Sequence, residues 1–459
     1  MTKATRNENV NTAADISRLI SERGITHVKV GFFDIDGVMA GKFMSAAKFL
    51  AALESNYAFC DVVFGWDVND QLFDNIKLSG WITGYADLEV RLLPELWREL
   101  PLENNTILVP GEVVGRMQPL CPRQILKQVM ARAESMGFTG HAGFEYEFLV
   151  TDEAHGDLRA RDFLKPKPLG DGAFGYSILR TAVNNDFYEG LIDVCNGMDI
   201  PIEGFHEETG PGQLEIALQN METLRAADDA AMFKTFSKVL AQKQKRMISY
   251  MAKWDESHSG QGGHVHVSLQ RLDGSTVFYD DSKPHNLSDE MRWFVGGLQT
   301  LARDYMAIHA PNINSYRRLV PGYWAPTSAL WGVDNRTTAI RAITGSPKSQ
   351  RIEYRVPGAD CNPYLVAASI FAAGLYGIEH KIEPHQAFAG NAYAHTPPPE
   401  LTLPRTLWEA AQCLRASSAA NEWLGSDFVD HFAATREWEE REFQKHVTDW
   451  ERNRYFEII

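Results

Sequence analysis

GFEYEFLV, at residues 143–150, alternates apolar and acidic side chains over most of its length. Successive side chains of a β-strand point to opposite faces, so Glu145 and Glu147 share one face and the aromatic residues between them share the other. The stretch therefore predicts a strand with an aromatic core face and a face that carries two adjacent carboxylates. Taken alone, such a pair is also typical of a solvated strand face, and its meaning depends on which other residues approach it.

The chain on either side of this strand divides into two regions of different character. After a short helix predicted at 15–23, strand-like stretches dominate, and we predict them at 26–37, 60–68, 84–93 and 105–114, without long helices. Beyond MQPLCPR, helical and strand-like stretches mix, and a long helix is predicted at 221–253. We expect an α+β fold with a β-rich domain at 1–116, a boundary near 117, and a second domain at 117–459.

The composition is that of a large folded protein. Its 459 residues include 44% hydrophobic and 23% charged residues, with 24 Phe, 15 Tyr and 11 Trp, which supplies ample core material. The formal charge of -15 does not favour nonspecific binding to a phosphate backbone, so no nucleic-acid partner is expected. An uncharged run at 361–378 contains Asn, Pro and two glycines and favours a buried core helix over a membrane span.

The cysteines and the N-terminal sequence both favour the cytoplasm. The five cysteines are widely spaced, form no CxxC pair and are expected to be free thiols in a reducing compartment. Residues 1–15 show no apolar run after the basic residues, so neither a signal peptide nor a transit peptide is predicted.

Further acidic and imidazole side chains join the first pair. Glu207 and Glu215 flank ETGPGQL, whose tight turn can fold the two arms back toward one point. His264 and His266 share a strand face in GGHVHVSL, although an isolated HxH is usually structural or incidental. With Glu353 in RIEYRVPG, this set of carboxylates and imidazole without cysteine suits Mg²⁺ or Mn²⁺ rather than a structural zinc ion.

Basic side chains cluster near the C-terminal part of this set. Seven of them fall within 39 residues of an otherwise acidic chain: Arg317, Arg318, Arg336, Arg341, Lys348, Arg351 and Arg355. Such a cluster fits recognition of phosphate and carboxylate groups, with surface salt bridges as the alternative. Metal-binding carboxylates together with arginines favour phosphoryl transfer from a nucleotide, yet the chain has neither a Walker motif nor a kinase glycine loop.

Five separated motifs, read in order, resemble the glutamine synthetase family across nearly the whole chain. They are GFEYEF, HEETGPGQLEIAL, GQGGHVHVSL, NSYRRLVPGYWAPTSALWGVDNRTTAIR and RIEYRVPGADCNPYL. The resemblance implies an N-terminal β-grasp domain, a catalytic domain built on a curved antiparallel sheet, and a homo-oligomer of stacked rings, a dodecamer, with active sites between subunits. It also implies that ATP phosphorylates the γ-carboxylate of L-glutamate and that an amine then attacks the acyl phosphate.

The resemblance also implies roles for single residues. Two or three divalent ions per site are expected on two sets of ligands: Glu147, Glu207 and Glu215, and Glu145, His264 and Glu353. Arg318, Arg355, Gly260 and His264 match the glutamate site, and Arg336 and Arg341 match groups that stabilise the transferred phosphoryl group. The nucleotide contacts matched in this sequence are His266, Ser268, Lys348 and Arg351.

Two departures from the family pattern concern the nucleophile. Where glutamine synthetases read PGYEAP, this chain reads PGYWAP, so Trp324 stands in place of a glutamate that helps to deprotonate ammonium. The DGSS motif, whose Asp binds ammonium, is also missing, and the nearest segment is FGWDVND around Asp67. Because ammonium needs a negative pocket and a base, both losses favour a different amine.

The pattern resembles the γ-glutamyl amide branch, which ligates glutamate to polyamines, alkylamines or anilines. We expect an organic primary amine, with an alkylamine or aniline favoured, and Trp324 as a wall of its pocket; Phe64 and Trp66 are expected to pack in the core. A polyamine acceptor, ammonia itself, and a silent homologue that acts as a nitrogen sensor or structural ring are the alternatives, and retention of all six metal-ligand positions opposes the last.

Overall fold

In this computed structural model, residues 10–459 are described, and the N-terminal prediction for residues 1–15 falls largely outside them. Between residues 10 and 114 the chain forms two α-helices and six strands. In chain order these are α1 (Ala13–Arg23), β1 (His27–Phe33), β2 (Met39–Ser45), α2 (Ala46–Ser55), β3 (Tyr57–Cys60), β4 (Asp87–Leu92), β5 (Arg98–Glu99) and β6 (Ile107–Val114).

These six strands form one sheet in the order β2-β1-β6-β4-β3, with β5 paired to β6. The β1–β6 pair is parallel, and the other pairs are antiparallel. Helix α1 follows the predicted leading helix: Thr12 and Asp15 form a capping box, and Gly24 ends it with φ 61°.

One local prediction in this region is wrong, and one helix was not predicted. The sequence predicts a strand at 60–68, but strand β3 lies before it and ends at Cys60. Asp61–Phe64 forms a 3₁₀ turn instead. The ten-residue helix α2 was not expected, although Ser45 caps its first turn and its apolar residues Phe49 and Ala52 face the core. Alternation alone overlooked the helical spacing of these two residues.

The second part of the chain contains nine more strands, all in one sheet. They are β7 (Phe138–Thr151), β8 (Ile202–Glu207), β9 (Gln213–Leu218), β10 (Met221–Glu222), β11 (Met247–Ser249), β12 (Val265–Arg271), β13 (Trp331–Val333), β14 (Ile340–Ile343) and β15 (Arg351–Tyr354). The order is β13-β14-β15-β12-β7-β9-β8, with β10 and β11 also on β7. Every pairing except the parallel β13–β14 pair is antiparallel.

The remaining α-helices belong to this second part of the chain. They are α3 (Pro122–Ser135), α4 (His155–Arg159), α5 (Ile178–Val183), α6 (Asn185–Gly197), α7 (Thr223–Lys243), α8 (Asp289–Leu301), α9 (Met306–His309), α10 (Ser315–Arg318), α11 (Pro363–Glu379), α12 (Leu407–Ala416), α13 (Ser418–Leu424), α14 (Ser426–Phe443) and α15 (Asp449–Tyr455). Helix α7 is shorter than predicted, because the chain turns at Lys245 with φ 58° and continues as β11.

The aromatic face of β7 anchors the core, as its sequence predicted. Phe144, Tyr146 and Phe148 are buried, and the rings of Tyr146 and Phe233 on α7 stack with centroids 6.4 Å apart. Helices α3 and α7 pack on β7, and α11 packs on both of them. Helix α11 is buried along nearly its whole length, and no helix among residues 10–459 is long and apolar enough to cross a membrane.

The α+β class with its two sheets is confirmed. The first sheet uses only residues before 117 and the second only residues after it, while the domain division itself stays a prediction. Buried ion pairs join the two parts: Arg98 Nη2 on β5 lies 3.0 Å from Asp229 Oδ1 on α7, with both side chains at most 3% exposed.

Breaking this buried pair should destabilise the protein. Removing Arg98 takes away one of the two arginines that compensate the buried carboxylate of Asp229, the other being Arg225, so Arg98→Met should lower the free energy of unfolding by about 3 kcal/mol. The control is Arg441→Met, which removes an exposed contact with Asp74 between the same two parts and should cost less than about 1 kcal/mol. Urea unfolding followed by circular dichroism measures both, and equal losses in the two variants would contradict the prediction.

Candidate active site

The sheet register brings the predicted site residues onto one face. Glu147 on β7 lies opposite Glu215 on β9, and His266 on β12 lies opposite Glu353 on β15. Arg341 on β14 is also opposite Glu353. Side chains of directly opposed residues project from the same face of a sheet, so acidic and basic groups far apart in sequence meet there.

This face lines a cavity of about 490 Å³. Thirteen of the predicted site residues contribute to its wall: Glu145, Glu147, Glu215, Gly260, His264, His266, Arg318, Trp324, Arg336, Arg341, Arg351, Glu353 and Arg355. Tyr176, Glu208, Thr209, Ser259, Tyr323 and Ala325 complete the lining.

A second cavity of about 420 Å³ adjoins the first. All four predicted nucleotide contacts line it: His266, Ser268, Lys348 and Arg351. Glu145, His266 and Arg351 belong to the walls of both cavities. A group bound in one cavity therefore lies against the same three side chains as a group bound in the other.

Glu353 is the most completely paired carboxylate of the site. It is 2% exposed, and it accepts hydrogen bonds from Arg355 Nη1 at 2.6 Å and Arg341 Nη1 at 2.9 Å. Burial opposes its ionisation, but Arg355 and His264 outweigh burial and lower the pKa of Glu353 to about 2. This carboxylate is charged at neutral pH.

Two histidines hold Glu145 in the charged form. His266 Nε2 lies 2.9 Å from Glu145 Oε1, and His264 Nδ1 lies 3.7 Å from Glu145 Oε2. Burial raises the pKa of Glu145, but hydrogen bonds from the two imidazoles outweigh it and hold the pKa well below the usual range.

The two histidines differ in what they can still bind. Arg351 Nε donates to His266 Nδ1 at 3.0 Å, so Nε2 of His266 carries the proton that is donated to Glu145. Both nitrogens of His266 are thus engaged. His264 Nδ1 faces Glu145 and Glu353 at 3.7 and 3.6 Å, which leaves it the better placed of the two to join them as a ligand.

The other half of the acidic set lacks such counter-charges. Ligand atoms of His206, Glu208 and Glu215 lie within 4.8 Å of one another. Among residues 10–459, no arginine or lysine forms an ion pair with Glu147, Glu208 or Glu215. Burial and the carboxylates of Glu147 and Glu145 raise the pKa of Glu215 to about 9.

The structure does not bring Glu207 into this set, which corrects the predicted ligands at one position. His206 lies opposite Glu215 in the β8–β9 pair, so alternation sends Glu207 to the other face and Glu208 back to the cavity. The carboxylate of Glu207 is buried against α6, where it accepts a hydrogen bond from Tyr188 OH at 3.1 Å. The alternation in HEE was the signal that could have identified Glu208.

The sequence analysis missed Tyr176, which lines the cavity, and its stacking partner His206. The rings of Tyr176 and His206 stack with centroids 4.5 Å apart, and Tyr176 donates its backbone N–H to Glu207 O at 2.9 Å. No local pattern marks Tyr176, because it lies in the irregular stretch between α4 and α5.

The arginines of the cavity divide into paired and unpaired groups. Arg318 is 3% exposed and donates to the carbonyls of Val356 and Arg355 at 2.8 and 3.1 Å. Nε of Arg355 is buried and has no hydrogen-bond partner among the described residues. Arg336 is exposed and makes no ion pair within residues 10–459. Unpaired donors in a cavity favour an anionic ligand there.

Position 260 has no space for a side chain, so it requires glycine. A Cβ at this position would lie 2.6 Å from Ala252 O and 2.6 Å from Arg318 Cγ. The absent side chain lets the backbone approach Arg318, and the carbonyl of Gly260 accepts from Gln213 Nε2 at 3.0 Å.

Trp324 lies at the mouth of the cavity. The residue is 57% exposed, its φ is 60°, and its carbonyl accepts from Arg355 Nη2 at 3.2 Å. By contrast, Phe64 is fully buried and Trp66 packs against the core, as predicted. Asp67 lines a different cavity, together with Arg317 and Trp438.

Comparison with known proteins agrees with this geometry. The family described as "Glutamine synthetase, catalytic domain" matches residues 119–455. The chain belongs to the glutamine synthetase family. It is therefore an ATP-dependent ligase, and the predicted likeness to the γ-glutamyl amide branch is confirmed.

Three relatives show the range of this family around the chain. It is 41% identical over 438 residues to type-1 glutamine synthetase 2 of Dictyostelium discoideum, covering 94% of this chain and 84% of the relative. It is 36% identical over 459 residues to a glutamate–isopropylamine ligase of a Pseudomonas species, with 98% and 99% covered. It is 33% identical over 451 residues to γ-glutamylethanolamide synthetase GlnA4 of Streptomyces coelicolor, with 96% and 95% covered.

A solved structure extends the likeness to the whole fold. The structure of GmaS without ligand superposes with a TM-score of 0.84 at 26% identity and covers 97% of this chain and 100% of that chain. Members of the family act on glutamate, ATP and an amine or ammonia, and they use divalent metal ions, generally Mg²⁺ or Mn²⁺.

The neighbouring glutamates provide a matched test of the corrected ligand set. Glu208→Gln removes a charge from the unneutralised half and should lower Mn²⁺ affinity and kcat/KM by at least about 100-fold. Glu207→Gln keeps an acceptor for Tyr188 OH and should stay within about threefold of the wild type, since hydrogen-bond replacement costs little. Calorimetric Mn²⁺ titration and phosphate release measure the two effects. A larger loss in Glu207→Gln than in Glu208→Gln would show that Glu207 is the metal ligand.

Proposed function

We propose that this protein ligates the γ-carboxylate of L-glutamate to an organic primary amine, an alkylamine or an aniline, with hydrolysis of ATP to ADP and phosphate. The observation that carries the proposal is the indole of Trp324 at the mouth of a cavity whose acids and arginines suit phosphoryl transfer. The segment at 320–327, VPGYWAPT, contains no carboxylate that could accept a proton from ammonium.

The metal sites belong to this proposal. The donor set contains carboxylates and imidazole without thiols, which suits Mg²⁺ or Mn²⁺. Glu145, His264 and Glu353 would hold one ion, and Glu147, Glu208 and Glu215 would hold another, with room for the two or three ions expected. The raised pKa of Glu215 supports the second set, because a bound cation would relieve the crowding of its carboxylates. When bound, such ions neutralise and orient the transferring phosphoryl group.

The substrates would occupy the two adjoining cavities. ATP would bind against Ser268, Lys348 and the shared wall of His266 and Arg351, and glutamate would bind in the first cavity. There the unpartnered Nε of Arg355, the buried Arg318 and the backbone at Gly260 would receive its carboxylate. The γ-carboxylate would then point toward the wall that both cavities share.

The chemistry proceeds in two steps. An oxygen of the glutamate γ-carboxylate attacks the γ-phosphorus of ATP, and the bond to ADP breaks, which leaves a γ-glutamyl phosphate. Arg336 and Arg341 would stabilise the negative charge on the transferred group. The amine nitrogen then attacks the γ-carbonyl carbon, loses a proton, and expels phosphate with the electrons of the C–O bond, giving the γ-glutamyl amide.

The acceptor end of the cavity supports an apolar amine. Tyr176, Tyr323 and Trp324 line it with aromatic surface, and apolar surface removed from water stabilises binding by roughly 25 cal/mol per Å². The amino group of an aniline is a weak base, so it is already neutral at pH 7 and can attack without prior deprotonation. A polyamine would need carboxylates for its distal charge, and Asp67 lies in another cavity of the same chain.

Ammonia is the second candidate acceptor, because the Dictyostelium relative at 41% identity is a glutamine synthetase. The aromatic surface of Tyr176, Tyr323 and Trp324 argues against it, because ammonia has no apolar surface to place there. The assembly is also a proposal: stacked rings, a dodecamer, with active sites between subunits. The exposed Trp81 and Ile82 in the first part of the chain support a protein contact there.

An amine panel tests the proposed function directly. With L-glutamate and Mg·ATP, phosphate release should be faster in kcat/KM with isopropylamine, ethylamine or aniline than with ammonia by at least about tenfold, a difference of about 1.4 kcal/mol. Mass spectrometry of the γ-glutamyl amide confirms the product. Ammonia performing as well as every organic amine would overturn the proposal, and preference for putrescine would move it to polyamines.

The role of Trp324 has its own test. Trp324→Ala removes apolar surface from the acceptor end, so KM for the preferred amine should rise by about tenfold. Trp324→Phe should recover most of the loss, because it restores an aromatic ring. Formation of γ-glutamyl hydroxamate from hydroxylamine, which offers no apolar surface, should change less than threefold by the same reasoning. A parallel loss with both acceptors would show that Trp324 acts on phosphorylation instead.

A further inference from the structure

The Tyr323–Trp324 segment depends on side chains from elsewhere in the chain. Gly322 has φ 86° and Trp324 has φ 60°, a left-handed conformation that costs a non-glycine residue free energy. Two basic side chains reach the segment. Arg355 Nη2 donates to the carbonyl of Trp324, and Lys253 Nζ lies 4.0 Å from the centroid of the Tyr323 ring.

Lys253 is attached to a well-fixed part of the chain. Its backbone N–H donates to Asn314 Oδ1 at 2.8 Å, and its carbonyl accepts from Asn314 Nδ2 at 2.9 Å. The loop that follows is held by its own contacts: the rings of Trp254 and His258 stack 5.4 Å apart, and Ser257 N–H donates to Asp255 Oδ1 at 2.8 Å.

The ammonium of Lys253 bridges the two sides of the cavity without lining it. Nζ donates to the carbonyl of His258, which directly precedes the cavity residues Ser259 and Gly260. Its other partner is the ring of Tyr323, which directly precedes Trp324. The residue is 7% exposed, and no carboxylate of residues 10–459 lies within ion-pair distance of it. A desolvated ammonium over an aromatic ring makes a strong cation–π contact.

We propose that Lys253 is a positioning residue that holds the Tyr323–Trp324 segment over the acceptor end of the cavity. Its fixed ammonium orients the Tyr323 ring, and the ring sets the position of the neighbouring Trp324. The inference rests on the proposed function, because a displaced Trp324 would weaken the binding of the amine acceptor. The Lys253 ammonium contacts the His258 carbonyl and the Tyr323 ring and none of the side chains assigned above to ATP, metal or phosphoryl binding, so its loss should spare glutamate phosphorylation.

The test removes the charge and keeps the length of the side chain. A cation–π contact of about 0.5–2 kcal/mol corresponds to a loss of about twofold to thirtyfold, so Lys253→Met should raise KM for the preferred amine within this range. KM for ATP and hydroxamate formation from hydroxylamine should stay within about twofold. Lys253→Arg, which keeps a cation, should recover at least half of the lost affinity.

A direct measure of the segment accompanies the kinetics. If Lys253 holds the segment, chymotrypsin should cut after Tyr323 or Trp324 faster in the assembled Lys253→Met protein than in the wild type. The control is Lys42→Met, since Lys42 Nζ also donates to a carbonyl, that of Ala58, and lies 4.2 Å from the Phe59 ring, outside the cavity. This control should leave both the amine KM and cleavage at 323–324 unchanged.

The outcomes separate this inference from the proposed function. An unchanged amine KM in Lys253→Met, or equal losses with the amine and with hydroxylamine, would overturn the role of Lys253. The wild-type panel alone decides the acceptor class. If it selects ammonia, the proposed function fails, and the rate of chymotrypsin cleavage at 323–324 in Lys253→Met relative to the wild type still decides whether Lys253 positions Trp324.

Discussion

Several carboxylates lie close together on one face of the second sheet, and their mutual repulsion must be compensated for the site to be stable. Five glutamates, at 145, 147, 208, 215 and 353, line one cavity of about 490 Å³. Carboxylates placed so close repel one another unless cations lie among them. The chain compensates one half only, through the cations Arg341 and Arg355 at Glu353 and the imidazoles that face Glu145.

The two halves of the acidic set differ in whether nearby groups of the chain compensate their charge. Glu145 and Glu353 stay ionised through groups of the chain itself, whereas Glu215 has a pKa raised to about 9 in the absence of a neighbouring arginine or lysine among the described residues. The second half is the place where a divalent cation would bring the most stabilisation. The two cavities meet at the Glu145–His266–Arg351 wall, so nucleotide and glutamate would face the same charged groups.

The scaffold tolerates this charge because the opposite face of the same strands is apolar. Phe144, Tyr146 and Phe148 pack against α7, and the buried helix α11 lies behind α7 and α3. Antiparallel register fixes which residues face each other, and a slip by one residue would turn the carboxylates into the core. The Trp324 segment lies outside this sheet and takes its position from Arg355 and Lys253 instead.

Local spacing of side chains was enough to predict several parts of this protein. Alternation in GFEYEFLV assigned the two faces of β7, and the uncharged run at 361–378 predicted the buried helix α11. Thirteen of the residues that the motifs singled out line the same cavity. Only tertiary structure decided between Glu207 and Glu208, because the register of β8 against β9 sets which of two successive side chains faces the cavity. It also decided the contacts of Tyr176 with His206 and of Lys253 with Tyr323, which join residues 30 and 70 positions apart and depend on how the sheet brings loops together, a relation that no local period records.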